Sequence, residues 1–142
     1  GKEPLRIAKP LVDEHHLRGQ ITLLEGDFHQ TDLGADYDVA LISGVVLIKS
    51  EEDCRHLFKV AYDALLRGGM VIVQDYMRID HSPERARLDT LEHLYVMVAF
   101  DPGAADRKGE EVASWLRDTG FKNLNMVPLP TSLALITAER PE

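Results

Sequence analysis

The sequence predicts an α/β protein built on an open, doubly wound sheet. Segments 20–25, 37–43 and 70–76 are short, nearly continuous apolar runs, the pattern of strands covered on both faces, as in a parallel sheet. Helical patterns alternate with these strands. Two final segments, 122–128 and 132–138, have a link far too short for a crossover, so they are predicted to form an antiparallel pair.

The first helix is predicted over residues 5–18, where apolar residues recur at helical spacing. Pro10 lies inside this pattern and removes a backbone hydrogen bond from any helix that contains it. We therefore expect the helix to kink or to begin near Lys9. Gly19 is predicted to end it.

Three further helices follow. Ser50 is predicted to cap the second, which has acidic residues in its first turn and is expected to end at Gly68-Gly69. Residues 83–99 and 108–119 carry the other two helical patterns, and Gly120 is expected to end the last. There is no repeat, low-complexity tract or internal linker, so residues 1–142 are interpreted as one domain.

Composition narrows the possible partners. The chain has 24 acidic and 16 basic residues, and its net charge of −8 argues against nucleic acid or an anionic membrane as the main partner. Its single cysteine, Cys54, leaves no internal disulfide and no paired-cysteine metal site, which is typical of a reducing, cytoplasmic setting. No apolar run approaches the roughly 18 residues of a membrane span.

One expected feature is missing from the sequence. In doubly wound sheets the cofactor binds at the carboxyl ends of the strands, where a glycine-rich turn follows the first strand. No such turn follows a predicted strand here. The adjacent glycines Gly68-Gly69 precede a predicted strand instead of following one. The chain therefore has the pattern of the later part of a nucleotide-cofactor domain.

Three stretches carry a resemblance to a known family: EGDFHQTDLGADYDVALIS, EEDCRHLFKVAYDALLRGGMVIVQDY and WLRDTGFKNLNMVPLP. In this order and spacing they resemble the C-terminal part of bacterial-type small-molecule O-methyltransferases, which are class I enzymes dependent on S-adenosylmethionine (SAM). The resemblance implies a Rossmann-like sheet that is incomplete here and holds the third to seventh strands. The first two strands, the glycine-rich SAM loop, the ribose-binding acid and a dimerisation domain are then expected upstream.

The same resemblance implies SAM as cofactor, a small hydroxylated or aromatic methyl acceptor, and a homodimer. Asp27 and Phe28, in a Gly-Asp-Phe turn, match the family's adenine contacts. Ser43 and Gly44 match the segment beside the methionine part of SAM. The alternative for Asp27 is an ordinary acidic turn residue, and for Ser43-Gly44 a turn that ends a strand.

Leu47 occupies the position of the family's general base, a histidine that takes the proton from the substrate hydroxyl. Asp75 and Asp106 match the family's two supporting acids and are the candidate catalytic residues. Because leucine accepts no proton, either another group is the base, or the acceptor needs none, or the protein is not a standard O-methyltransferase. The alternative for Asp75 is a solvated strand end, and for Asp106 a charged loop residue or helix cap.

Other residues offer weaker candidates. His29, His81 and His93 are alternatives for the missing base, and Met97 matches the substrate-lining stretch of the family. No His, Asp or Glu set has metal-ligand spacing, so no metal is expected. Two other functions stay open: a degenerate methyltransferase-like scaffold or dimerisation module, and a nicotinamide oxidoreductase, which the lack of a glycine-rich turn disfavours.

Overall fold

A computed structural model describes residues 2–79, 104–130 and 133–142 of the chain. The chain divides into two compact units, Gly1–Leu33 and Gly34–Glu142. The predicted helix over 83–99 lies outside the described residues.

The first unit contains helix α1, Lys2–Glu14. The helix passes through Pro10 without ending there, so the predicted start near Lys9 is wrong. No residue of α1 is buried, and water can therefore satisfy the carbonyl that Pro10 leaves without a donor. The helix also ends before Gly19, because the chain reverses at His16, which has a left-handed φ of 58°.

Residues 21–25 form no strand in the structure, which corrects the prediction for 20–25. A strand needs a neighbour that pairs with its backbone groups. Within the first unit the only regular element among the described residues is α1, which offers no such ladder. The apolar side chains of this segment are partly exposed as a result, with Leu24 at 55%.

The second unit is built on a four-stranded sheet in the order β1-β2-β6-β5. β1 and β2 are parallel, whereas β6 is antiparallel to both β2 and β5. This confirms the closing antiparallel pair. A small parallel pair, β3 with β4, lies outside the sheet. The elements of this unit are β1 (Tyr37–Ser43), α2 (Glu51–Ala64), β2 (Leu65–Asp75), β3 (Met77–Arg78), β4 (Arg107–Lys108), α3 (Gly109–Thr119), β5 (Lys122–Pro128) and β6 (Ala134–Glu139).

Local signals explain both helices of this unit. The Ser50 hydroxyl accepts the Asp53 backbone N–H at 3.1 Å and so caps α2 as predicted. α3 ends at Gly120, which has a left-handed φ of 116°, and the Phe121 N–H returns to the Leu116 carbonyl at 3.1 Å.

The core lies between the sheet and these two helices. α2 contributes Phe58 and α3 contributes Trp115, both almost fully buried. Their sheet partners alternate along the strands, as the two-residue period of a strand requires. The buried apolar residues of β2 and β6 are Leu65, Val71, Val73, Ala134, Ile136 and Ala138.

The opposite face of β1 is open. Tyr37, Val39 and Leu41 are 46%, 52% and 63% exposed, so the expectation that this strand is covered on both faces is wrong. The alternating exposure follows from the pleat, because successive side chains point to opposite faces. Among the described residues β1 pairs only with β2, and it is therefore an edge strand.

The junction of α2 and β2 differs from the prediction. The helix ends at Ala64, and Gly68-Gly69 lie in an irregular start of β2 rather than at the helix end. The Arg140 guanidinium covers this helix end, because its Nη1 donates to the Tyr62 carbonyl at 2.9 Å and also to the Leu65 carbonyl. A cation at a helix C-terminus is favoured by the helix dipole.

Replacing Arg140 with alanine is expected to lower the free energy of unfolding by about 1–2 kcal/mol, because charged hydrogen bonds to the last helical carbonyls are lost. Urea denaturation followed by circular dichroism measures this change. Arg140→Lys is expected to recover part of the loss. The exposed Arg67→Ala, a matched control, should change stability little, and an equal loss in both alanine variants would contradict this role for Arg140.

Cys54 is buried in α2, and burial raises the pKa of its thiol from an ordinary 9.0 to about 11. At pH 8 this lowers the reactive thiolate fraction about 100-fold. Iodoacetamide is therefore expected to alkylate the native protein far more slowly than the urea-unfolded protein, as measured by mass spectrometry. A Glu52→Cys/Cys54→Ala variant places one thiol at an exposed position of the same helix and should react rapidly. Equal native rates for the two thiols would contradict the prediction.

Candidate functional site

The candidate site of the second unit lies where two parallel strands end side by side. Ser43, the last residue of β1, is in register with Gln74 of β2. The Gly44 N–H donates to the Gln74 carbonyl at 3.0 Å and continues the pairing by one residue. In α/β sheets ligands bind beyond these carboxyl ends.

Asp75 ends β2 and is 1% exposed. One carboxylate oxygen accepts the Val46 N–H at 2.7 Å and the Leu47 N–H at 3.4 Å. The other accepts the Tyr76 N–H at 2.9 Å. Burial raises the pKa of Asp75, and these backbone N–H groups oppose the rise because they stabilise the carboxylate. Asp75 therefore anchors the turn that follows β1.

The backbone brings the three predicted catalytic positions together. Besides its N–H bond to Asp75, Leu47 accepts the Ala105 N–H on its carbonyl at 3.1 Å. Asp106 is the next residue along the chain. The Leu47 side chain is 3% exposed, so the base position is both apolar and enclosed.

Asp106 forms an ion pair that the sequence did not indicate. Its Oδ2 lies 2.8 Å from Nη2 of Arg78, with the two side chains 27% and 39% exposed. Arg78 belongs to β3, and Asp106 directly precedes β4, which pairs with β3. The one signal available in the sequence was the position of Arg78, three residues after the candidate acid Asp75.

Arg107 supports the same region from the buried side. It is 7% exposed, and its Nη2 donates to the Lys49 carbonyl at 3.0 Å. Its guanidinium lies 5.1 Å from the centre of the Trp115 ring, within the range of a cation–π contact. Arg107 therefore holds the far end of the turn that Asp75 holds at its start.

Ser43 and Gly44 are both exposed at the end of β1. Gly44 has a φ of 68°, a conformation that favours glycine. A β-carbon built there would meet nothing within 4 Å. The backbone at this position is therefore open to close approach by a ligand.

Asp27 and Phe28 lie in the first unit, which is described separately. Asp27 is exposed, and its Oδ1 accepts the His29 N–H at 3.0 Å. The Phe28 ring is half-buried, with its centre 4.3 Å from that of the His29 ring. Gly26 permits this tight turn, since a β-carbon there would lie 1.8 Å from Thr31 Oγ1.

Three predicted residues, His81, His93 and Met97, lie outside the described residues. In the ranges that the structure describes, no group of three or more His, Cys, Asp or Glu side chains could hold a metal ion. Within those same ranges no helix is long and apolar enough to cross a membrane.

The raised pKa of Asp75 predicts a pH dependence of stability. A carboxyl whose pKa is higher in the folded state contributes stability that is fully present below its unfolded pKa. That contribution is lost as pH rises through the folded pKa. The unfolding free energy of the wild type relative to Asp75→Asn is therefore expected to fall as pH rises above about 4, the ordinary pKa of an aspartate carboxyl.

Urea titrations at several pH values measure this difference. The exposed Asp63→Asn variant serves as the control, with no comparable trend expected. A difference that rises with pH for Asp75→Asn would overturn the sign.

The chain matches the O-methyltransferase domain family over residues 5–122. One curated relative, an L-tyrosine C(3)-methyltransferase of Streptomyces lavendulae, is 32% identical over 82 residues. This match covers 56% of the chain and 22% of the relative.

Solved structures show the same fold. An S-adenosylmethionine-dependent methyltransferase, SibL, superposes with a TM-score of 0.83 at 25% identity, over 97% of this chain and 41% of SibL. An O-methyltransferase-like protein of Nostoc punctiforme gives a TM-score of 0.81 at 24% identity, over 95% of this chain and 41% of that one. The chain thus spans well under half the length of these relatives, and it belongs to the O-methyltransferase domain family.

Proposed function

We propose that this chain is part of a SAM-dependent methyltransferase that acts on a small hydroxylated or aromatic molecule of the natural-product type. The observation that supports this most directly is the convergence of positions 47, 75 and 106, since the Leu47 N–H donates to the Asp75 carboxylate and the Leu47 carbonyl accepts the N–H of the residue before Asp106. These are the three positions that match the family's base and supporting acids. In this proposal Asp75 and Asp106 keep their supporting roles, and Met97 lines the acceptor pocket.

The described residues fit SAM in their chemistry. Asp27 offers an exposed carboxylate to an adenine amino group, and Phe28 offers an apolar ring beside it. Ser43 and Gly44 offer an open backbone at the end of a parallel strand. SAM, when bound, supplies an electrophilic methyl group. The chain's part is to bind the adenine side, align the acceptor and exclude water.

Leu47 limits the kind of acceptor. No proton can move to its side chain, so we propose an acceptor that is ionised in the site without a protein base, or one whose nucleophilic atom carries no acidic proton. The relative from Streptomyces is named as a C(3)-methyltransferase of L-tyrosine, and carbon is therefore one candidate nucleophile. With the proton already gone, proximity and alignment supply much of the rate.

A second candidate function is a non-catalytic scaffold or dimerisation module. The observation that favours it is the buried leucine at the base position. Under both candidates we expect a homodimer, because the family that the chain resembles carries a dimerisation domain, and a cytoplasmic setting, for which a single cysteine is typical. SAM binding separates them.

Isothermal titration calorimetry with SAM tests the proposal. Weak or no heat is expected for the 142-residue chain, and saturable binding for a longer form extended at its N-terminus by the family's glycine-rich loop and ribose-binding acid. The reason is that the family's glycine-rich loop and ribose-binding acid have no match in this sequence. No binding by the longer form would remove the methyltransferase proposal and leave the scaffold.

In the longer form, Asp27→Ala is expected to weaken SAM binding about tenfold, the loss of one hydrogen bond to a charged group. Glu14→Ala removes the same charge from an exposed position of the same unit and should leave affinity unchanged. Equal affinity of the Asp27→Ala variant and the wild type would show that Asp27 is only a turn residue.

A further inference from the structure

We propose that Arg78 binds an ionised oxygen of the methyl acceptor and holds that oxygen in its deprotonated form. This inference rests on the proposed function, since it names the acceptor's chemical class: molecules with an acidic hydroxyl or a carboxylate. The cation would make a protein base unnecessary, which suits a site that has leucine at the base position.

The Arg78 guanidinium has donors left for a second anion. Arginine carries five N–H donors, and among the described residues this side chain forms an ion pair from Nη2 to Asp106 at 2.8 Å. The Arg78 side chain is 39% exposed, so a ligand can reach it. Its enclosed Nε has no hydrogen-bond partner in the described part of the chain. Asp106 therefore orients the guanidinium without using all of its donors.

Successive residues of β3 and β4 alternate between a buried and an exposed face, so the basic residues of this pair divide into a buried one and exposed ones. Met77 and Arg107 are in register and are 5% and 7% exposed, so they face the buried side. Arg78 and Lys108 are the next register pair, and both are more exposed. Successive strand residues point to opposite faces, which places these two cations on the same open side.

Charge on this open side favours an anion. Like charges directly opposite on paired strands destabilise a sheet. Arg78 and Lys108 carry two positive charges, and Asp106 offsets one of them. A bound oxyanion would offset the other, and arginine is well suited to bind one because its guanidinium can donate two parallel hydrogen bonds.

The position of Arg78 in the fold relates its positive charge to the proposed methyl transfer. Ala105, the residue before Asp106, donates its N–H to the Leu47 carbonyl at 3.1 Å, so the acid of the ion pair is one residue from a backbone contact with the base position. A positive charge near an acidic hydroxyl lowers the pKa of that hydroxyl. The acceptor therefore loses its proton to solvent on binding, and no side chain at position 47 has to take it.

Absorbance titrations with 4-nitrophenol test the proposal, because its ionised form absorbs in the visible. The wild type is expected to lower the pKa of the bound nitrophenol. Arg78→Gln should abolish that shift and weaken binding about tenfold. Arg117→Gln changes an exposed arginine of α3 and should behave like the wild type.

A second variant acts in the opposite direction. Asp106→Asn removes the competing negative charge, so the pKa shift of bound nitrophenol should grow. Because this variant keeps Arg78, the test stands even if Arg78→Gln fails to fold. A purely structural ion pair predicts that neither variant changes the nitrophenol titration, and that result would overturn the proposal.

Two more probes identify the oxyanion. Tight binding of 4-nitrobenzoate would indicate that the acceptor contributes a carboxylate. A pKa shift of 4-nitrophenol without tight binding of 4-nitrobenzoate would indicate an acidic hydroxyl. Neutral 4-nitroanisole should bind the wild type and Arg78→Gln with equal affinity. If Arg78→Gln weakens the binding of 4-nitroanisole as much as that of 4-nitrophenol, charge recognition is contradicted. SAM calorimetry on Arg78→Gln in the longer form separates the two proposals, because intact SAM binding with no nitrophenol effect removes only the role of Arg78.

Discussion

The carboxylate of Asp75 connects the end of one strand to the turn after its neighbour. It is buried, and it accepts backbone N–H groups from Val46, Leu47 and Tyr76. A buried carboxylate is costly unless hydrogen bonds satisfy it, and buried backbone donors are costly without an acceptor. Here the backbone N–H groups satisfy the carboxylate, and the carboxylate gives those buried donors an acceptor. Neither the turn nor the charge would be stable without its partner.

The rest of the candidate site depends on these hydrogen bonds of Asp75, because the turn that they hold is continuous with the neighbouring elements. The turn leads directly into α2, whose Ser50 cap fixes where the helix begins. Leu47 meets Ala105 from the same turn, and Arg107 donates to the Lys49 carbonyl at its far end. A candidate catalytic acid, Asp75, thus has a structural role of its own, and a loss of activity on its replacement would not by itself identify a catalytic group.

The sequence allowed the second unit to be predicted well, because its signals are local. The Ser50 cap, the left-handed Gly120 and the apolar runs around β1 and β2 each determine a short stretch by near-neighbour interactions. The prediction failed at 21–25, where an apolar run was interpreted as a strand. A strand depends on a partner that periodicity does not reveal. The Arg78–Asp106 pair was missed for a related reason, since pairing across 28 positions needs the fold.

The open face of β1 affects how the protein behaves in concentrated solution. Tyr37, Val39 and Leu41 form an apolar row on a strand whose outer edge has no partner among the described residues. Such rows promote edge-to-edge association. Asp36 and Asp38 flank the start of the row, and the net charge of −8 adds long-range repulsion. Near the isoelectric point of about 5.2 that repulsion vanishes, so colloidal stability depends on keeping the acidic side chains ionised.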